Sequence, residues 1–246
     1  MMPEHPVYCL FSGGKDSFAA AKQLQIHGRL TAVVLLDTGI AIPDWEQSVL
    51  AVARQHGFPA EVYRTPIRYE WLVERYGFPG AGGHSMAMTY LKGRAIREFK
   101  RAHPRAELAS GVRWRESNRR AVNTKEVGQF EGVTIYSPIF DWTTDETWAF
   151  CRAHGYEKPP QYIKIGVSGD CLCGSYARPD EREALREFYP EVHERICAIE
   201  RSRPAGAPRC KWGWANAAPV EKTEDEAMVC VECGSQPARS YPNPFE

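Results

Sequence analysis

The sequence predicts an α/β protein with a doubly wound, mostly parallel sheet and a small cysteine-rich C-terminal extension. Apolar runs of strand length alternate with segments of helix-forming residues along the first two thirds of the chain. A glycine loop joins the first strand to the first helix, and Gly28 and Gly57 close the first two helices. With 246 residues, the chain is long enough for one substantial α/β domain with an appendage.

The elements follow one another in a regular order. The first strand, at 7–11, precedes a glycine loop and a helix, and a second buried strand ends in Asp37-Thr38-Gly39. The expected strands are 7–11, 30–36, 60–63 and 107–109, and the expected helices include 18–24, 45–56, 85–101, 144–154 and 182–200. In such sheets ligands bind beyond the carboxyl ends of the strands, so the loops after the strands are the candidate site.

The loop after the first strand has the composition of a phosphate site. It consists of Ser12, Gly13, Gly14, Lys15, Asp16 and Ser17. Paired glycines let backbone N–H groups converge on an anion, and the new helix adds its own unpaired amides and the positive end of its dipole. The spacing is not Gly-x-x-x-x-Gly-Lys-Ser/Thr, so the loop differs from the Walker-type P-loop.

Two further segments extend the candidate site. Asp37 and Thr38 follow the second strand, at the same edge of the sheet as the loop. Gly111 and Arg113 follow the strand at 107–109 and open a segment with four arginines in eight residues, which favours an anion or carboxylates facing it. Lys92, in the helix at 85–101, is a further phosphate candidate, although such charges are usually a solvated face.

Composition excludes some classes of protein. Lys+Arg and Asp+Glu balance at 31 each, so no overall charge directs the chain to nucleic acid or membrane, although a local basic surface stays open. No apolar run is long enough to span a bilayer, and the N-terminus is polar, so we expect a cytoplasmic protein. In a reducing compartment the eight cysteines are thiols, metal ligands or redox centres rather than a disulfide framework.

Together these motifs resemble the phosphoadenylyl-sulfate (PAPS) reductase family, within the PP-loop N-type ATP pyrophosphatases and the adenine nucleotide alpha hydrolase-like fold. The motifs are the glycine loop, Asp37-Thr38-Gly39, Gly111-Val112-Arg113 with Glu116-Ser117 and Arg120, and the stretch from Pro138 to Thr143, in this order over roughly residues 7–200. The resemblance implies that the loop holds phosphate and that Asp37 and Thr38 lie near the nucleoside. It also implies that Arg113 and Arg120 face the anionic end of the ligand, and that the helix at 144–154 is structural.

Four cysteines are the candidate metal ligands: Cys171, Cys173, Cys230 and Cys233. A Cys-x-x-Cys pair followed by glycine, together with a second pair, has the thiolate count for zinc or for a [4Fe–4S] cluster. Related adenylyl-sulfate reductases carry an adjacent Cys-Cys pair, whereas Leu172 separates the pair here, and Cys210 is a credible substitute for Cys171. Cys9, Cys151 and Cys197 are expected to be core residues. We therefore expect a nucleotide-binding domain at 1–165 and a helical, cysteine-rich region at 166–246 that carries the metal centre.

Two enzymatic interpretations and one without catalysis stay open. The loop has the form found in ATP users, which favours an ATP pyrophosphatase that adenylates an acceptor for sulfur transfer, with Lys15, Asp16, Arg113 and Arg120 as catalytic residues and Mg²⁺ expected. The alternative is a PAPS or adenylyl-sulfate reductase with Cys233 as nucleophile, which would remove Cys233 from the metal site. The third is a nucleotide-binding subunit without turnover. The acceptor (nucleic acid or small molecule), the sulfur donor and a homodimer are left open.

Overall fold

The computed structural model describes residues 5–80, 83–116, 125–204 and 206–214. Its six-stranded sheet has the order β3-β2-β1-β4-β6-β5, and β5 alone in this sheet is antiparallel to its neighbour. The strands are β1 (Val7–Leu10), β2 (Leu30–Asp37), β3 (Ala60–Arg64), β4 (Glu107–Ala109), β5 (Val127–Phe130) and β6 (Val133–Tyr136). The mostly parallel sheet expected from the sequence is therefore confirmed, and the hairpin β5–β6 was not predicted.

Helices cover both faces of the sheet. They are α1 (Lys15–Ile26), α2 (Trp45–Gln55), α3 (Tyr69–Tyr76), α4 (His84–Ala87), α5 (Arg94–Ala102), α6 (Thr144–Ala153), α7 (Pro160–Ile165), α8 (Pro179–Phe188) and α9 (Pro190–Ser202). A π-helix, Met88–Gly93, joins α4 to α5, and a 3₁₀ turn covers Trp114–Glu116. Among the described residues, no helix is both long enough and apolar enough to cross a membrane.

Alternate residues of the strands enter two separate cores. Val7 and Cys9 face one core, whereas Tyr8 and Leu10 face the other, as the period of two along a strand requires. The first core contains α1 and α2 together with later residues such as Leu185 and Ile196. The second core is covered mainly by α5. Residues after position 165 thus pack into the same core as the first half of the chain.

Two predicted helices have different bounds from those expected. The helix expected at 85–101 is interrupted by the π-helix Met88–Gly93, and the helical stretch expected at 182–200 is two helices. The second break falls at Tyr189, because Pro190 cannot donate an amide hydrogen bond to a preceding helix and restricts the residue before it. The π-helix carries Lys92.

Helix α6 is anchored by a capping box. The Thr143 side chain accepts a hydrogen bond from the Glu146 amide at 3.2 Å, and Glu146 accepts one from the Thr143 amide at 2.7 Å. These hydrogen bonds lower the pKa of Glu146, with the backbone hydrogen bond from Thr143 as the largest cause. The capping box therefore defines the start of α6 at Thr144, where the predicted helix at 144–154 begins.

Candidate nucleotide site

The strand order places a crevice between β1 and β4. Both strands are parallel, but the chain leaves β1 towards β2 on one side, while β4 lies on the other side. The loops that follow two such strands diverge, which is the usual position of a ligand site in an open α/β sheet. The loop from Ser12 to Ser17 follows β1, and the segment from Ser110 to Arg113 follows β4.

The glycine loop has a backbone that only glycine adopts easily. Gly13 has φ of +84°, and a Cβ added there would lie 2.8 Å from the side chain of Val49. The loop is held from outside by the Tyr156 hydroxyl, which donates to the Gly13 carbonyl at 2.9 Å, and by the Trp45 indole, which donates to the Ser12 carbonyl at 3.4 Å. Helix α2, through Trp45 and Val49, and the segment after α6, through Tyr156, therefore hold the shape of this turn.

The two serines of the loop bond to the loop itself. The Ser17 hydroxyl donates to the Gly14 carbonyl at 2.9 Å and accepts from the Ser12 amide at 3.3 Å. The two hydroxyl oxygens lie 3.3 Å apart. Both serines are buried, so they close the turn and keep its amides on one side rather than projecting freely to solvent.

The start of α1 is open to an anion. Its N-cap is Gly14, which has no side chain to occupy the first-turn amides. Lys15 begins the helix, and its ammonium lies 3.2 Å from Asp16 Oδ2 and 5.7 Å from the centre of the Trp148 ring. With 10% of its side chain exposed, Lys15 is held at the crevice and is still reachable from solvent. Loop amides, helix dipole and ammonium are the groups that bind phosphate.

Arg113 lies beneath the loop, where its Nη2 has no hydrogen-bond partner among the described residues, and the expectation that it faces the anionic end of a ligand stays a prediction. Its side chain is fully buried, and its Nε donates to Asp16 Oδ1 at 2.7 Å. Nη1 donates to the Trp142 carbonyl and the Thr144 hydroxyl, both at 3.3 Å. Asp16 therefore bonds to Arg113 through one oxygen and to Lys15 through the other, which fixes the direction of Lys15.

Gly111 allows the second loop to approach the first. A Cβ there would lie 2.6 Å from the carbonyl oxygen of Asp16 and the amide nitrogen of Ser17, both backbone atoms. Any side chain would push the segment after β4 away from the start of α1. The sequence predicted Gly111 as a site residue, and the structure gives it a role in close contact between loops.

The end of β2 carries the other predicted contacts. The Asp37 carboxylate accepts from the Gly39 amide at 2.8 Å and lies 3.4 Å from Arg64 Nε. Thr38 is fully buried, and its hydroxyl donates to the Asp170 carbonyl at 2.9 Å. Asp37 thus remains half-buried at the carboxyl edge, whereas the Thr38 hydroxyl links this edge to the loop before the cysteines.

Lys92 is placed differently from the phosphate role proposed for it. It is buried, and its ammonium lies 3.1 Å from Asp170 Oδ2, where the Ser168 hydroxyl also bonds to the same carboxylate. Asp170 was not singled out in the sequence. The signal that could have found it is an acidic residue directly before a cysteine in a segment otherwise rich in small residues.

Two of the four predicted metal ligands lie on one described loop. Cys171 is half-buried and Cys173 is buried, with its sulfur 3.3 Å from the Ser175 hydroxyl oxygen. Cys210 is half-buried on a segment joined to this loop, since the Trp212 indole donates to the Leu172 carbonyl at 2.8 Å. Within residues 5–80, 83–116, 125–204 and 206–214, no group of three or more His, Cys, Asp or Glu residues could hold a metal ion. Cys230, Cys233 and Arg120 lie outside the described residues.

Two of the three predicted core cysteines are confirmed. Cys9 and Cys151 are buried, and burial raises the pKa of both thiols, that of Cys151 to about 12. The Cys151 thiol lies below the glycine loop and donates to the Lys15 carbonyl at 3.4 Å. Cys197 is instead half-buried beside Arg182 and His193, so the prediction that it is a core residue was wrong.

Fold and loops together define an α/β protein with a doubly wound, mostly parallel sheet and a candidate ligand site at the carboxyl edge of that sheet. The sequence model of the phosphoadenosine phosphosulfate reductase domain matches residues 6–168. This chain belongs to that family.

Relatives with established names are distant. The phosphoadenosine 5'-phosphosulfate reductase of Xanthomonas euvesicatoria is 28% identical over 161 residues, which span 64% of this chain and 66% of that protein. The adenosine 5'-phosphosulfate reductase of Allochromatium vinosum is 28% identical over 195 residues, spanning 70% of this chain and 76% of that protein. The chain thus matches just under two thirds of the length of the first of these reductases.

Solved structures also resemble the chain, at low sequence identity. A PAPS reductase from Candida auris in complex with phosphate is 12% identical, with a TM-score of 0.48 over 66% of this chain and 78% of that one. The U34-tRNA thiolase NcsA from Methanococcus maripaludis, with its [4Fe-4S] cluster, is 12% identical, with a TM-score of 0.45 over 88% of this chain and 78% of that one.

Proposed function

We propose that this chain binds an adenine nucleotide in the crevice between β1 and β4 and is an ATP pyrophosphatase. In this reaction an acceptor is adenylated, pyrophosphate leaves, and the activated acceptor is ready for attack by sulfur. The observation that carries the proposal is the meeting of two loops at this crevice, with Gly111 packed on the first turn of α1. That contact packs the segment after β4 against the Gly14-capped start of α1, where Lys15 lies.

The residues of the two loops and of the end of β2 have separate roles in this proposal. The first-turn amides and the Lys15 ammonium stabilise negative charge on the α-phosphate and on the departing pyrophosphate. Asp16 and Arg113 are proposed to position Lys15, because Asp16 bonds to Arg113 through one carboxylate oxygen and to Lys15 through the other. Asp37 is proposed to contact the nucleoside from the end of β2. Mg²⁺ is expected to neutralise phosphate charge in the same crevice.

A metal centre is the second part of the proposal. Cys171 and Cys173 lie on one loop with a single residue between them. This spacing fits two ligands of one metal centre. Cys230 and Cys233 are proposed as the other two ligands, with Cys210 as the substitute for Cys171. A [4Fe–4S] cluster, with zinc as the alternative, would join the C-terminal residues to this loop and add its binding energy to folding.

Sulfonucleotide reduction is the second candidate function. The reductase names of the relatives from Xanthomonas and Allochromatium favour it. In that reaction the Cys233 thiolate would attack the sulfate sulfur, and a second thiol would resolve the product. Cys233 would then be unavailable as a metal ligand. A nucleotide-binding subunit without turnover is the third candidate, and the intact loop argues against it.

The test of the nucleotide site is Lys15→Ala, with Lys22→Ala on the same helix as the matched control. A charged phosphate contact contributes about 1.5–3 kcal/mol, so ATP affinity should fall roughly 10- to 100-fold in the first variant and stay unchanged in the second. Calorimetry measures both. If Lys15→Ala bound ATP and PAPS each as tightly as the wild type does, the phosphate role of the loop would be contradicted.

The test of the reaction is a comparison of products. We expect pyrophosphate from ATP only when a suitable acceptor is present, AMP when a sulfur donor then displaces it from the adenylated acceptor, and no sulfite from PAPS or adenylyl sulfate with thioredoxin. Strong sulfite production would favour the reductase and make Cys233 the nucleophile.

A further inference from the structure

A buried ion pair lies between the candidate nucleotide edge and the cysteine loop. The ammonium of Lys92 and the carboxylate of Asp170 are 3.1 Å apart, with 4% and 5% of their side chains exposed. The Ser168 hydroxyl donates to the second carboxylate oxygen. Removing two charges from water is costly, and an apolar pair of similar volume often stabilises a protein at least as well. A pair kept in this position therefore suggests a role in specifying geometry.

Asp170 is joined to the end of β2 on both sides. Its own carbonyl accepts from Thr38 at 2.9 Å. Before it, the Gly169 carbonyl accepts from the Ile42 amide at 3.0 Å, and after it, the Leu172 amide donates to the Ile40 carbonyl at 2.9 Å. The loop that carries Cys171 and Cys173 is thus bonded along the segment that follows Asp37. Three hydrogen bonds therefore join the two segments.

Lys92 lies on the π-helix Met88–Gly93. The widened turn is a feature that often marks functional positions. The Thr65 hydroxyl, just after β3, donates to the Tyr90 carbonyl in the same turn at 3.1 Å, so the π-helix is itself fixed at the carboxyl edge of the sheet. Lys92 therefore lies on a helical turn that is hydrogen-bonded to the edge of the sheet, and Asp170 lies on the loop that carries the cysteines.

We propose that Lys92 and Asp170 are positioning residues that couple nucleotide occupancy at the end of β2 to the order of the Cys171–Cys173 loop. This rests on the proposed function, because it takes an adenine nucleotide as the ligand near Asp37. A nucleotide that orders the segment 37–42 orders the cysteine loop through the shared hydrogen bonds. The ion pair holds Asp170 in the position where those bonds form. Without the pair, the two segments respond to nucleotide independently.

Hydrogen exchange of the full chain as purified, with and without ATP and Mg²⁺, tests this coupling. The reporter is the Leu172 amide, within a peptide covering residues 168–174. In the wild type we expect ATP to slow its exchange roughly 5-fold or more, as a coupling between sites requires. In Lys92→Met, ATP should still bind, and the ATP-dependent change should fall below about 2-fold. Lys100→Met is the matched control, since Lys100 is half-buried on α5 and its ammonium bonds to the Gly132 carbonyl, away from Asp170; it should behave as the wild type.

The ATP-dependent difference separates coupling from a merely structural role. A structural role would change exchange equally with and without ATP and leave the difference intact. If Lys92→Met does not fold, the double variant Lys92→Met/Asp170→Leu removes both charges together and should show the same loss of response. A full ATP response in either folded variant, or none in an ATP-bound wild type, overturns the proposal.

Calorimetry on the same samples separates this proposal from the proposed function. If the wild type does not bind ATP, the ATP assignment fails, and the exchange comparison is made with PAPS instead. Loss of the PAPS response in Lys92→Met would then support the coupling at a reductase site. If neither nucleotide binds, both the proposed function and the coupling are wrong.

Discussion

Replacing Gly111 by alanine should distort the candidate site, because the new Cβ would collide with the backbone at the start of α1. The added Cβ would lie 2.6 Å from the Asp16 carbonyl oxygen and the Ser17 amide nitrogen, about 0.8 Å inside the 3.4 Å at which ordinary van der Waals contact begins. Both atoms are backbone at the start of α1, so no flexible side chain can move aside. The segment after β4 or the first turn of the helix must shift instead.

The expected size of the effect follows from that shift. Overpacking of this kind costs about 1–3 kcal/mol of stability. For a chain of this length, each kcal/mol lowers Tm by roughly 2–4 °C. Since the displaced atoms belong to the proposed phosphate loop, nucleotide affinity should fall together with stability. A misplacement near 1 Å can also reduce turnover about 100-fold.

Gly128→Ala is the matched control for this substitution. Gly128 lies in strand β5, and a Cβ there would meet no atom within 4 Å. Calorimetry with ATP and a thermal melt on both variants measure the two effects. Gly111→Ala should lose affinity and Tm, and Gly128→Ala should lose neither. Wild-type ATP affinity in a Gly111→Ala variant would refute the reasoning that the contact between loops builds the site.

Two further predictions concern the C-terminal part of the chain. Burial would raise the pKa of Glu200, but hydrogen bonds from Arg182 and from the Trp212 amide reverse this and lower it. Because the folded pKa lies below the unfolded value, this stabilisation is present above about pH 4.5 and is lost as pH falls through the folded pKa. Glu200→Gln should therefore reduce the free energy of unfolding at neutral pH and flatten its dependence on pH in acid. Glu194→Gln, at an exposed position on the same helix, is the control and should change neither. Equal curves of unfolding free energy against pH for the two variants would contradict this. Cys230→Ser should remove the metal, measured as iron and sulfide or as zinc, and leave residues 215–246 open to protease while nucleotide binding survives. Unchanged metal content would make Cys210 the ligand to test next.

Local signals were sufficient to predict much of the fold. Strands such as β2 are continuous apolar runs, and helix α6 begins at a Thr-x-x-Glu capping box, so neighbouring residues define them. The glycine loop is also recognisable from neighbouring residues, because its turn has a positive φ at position 13, which glycine adopts easily. The candidate phosphate loop and the mostly parallel sheet therefore followed from sequence alone.

The partners of the charged residues did not follow from the sequence. Arg113 bonds to Asp16, 97 positions away in the chain, and Lys92 bonds to Asp170, 78 positions away. A charged side chain that folding buries must be paired, but its partner is set by which elements the sheet brings together. The sequence suggested phosphate for Lys92 and an anion or carboxylates for Arg113, and the tertiary structure pairs each of them with a carboxylate of the protein. The loop was determined by its own residues, and the positions of the charges around it were decided only by packing.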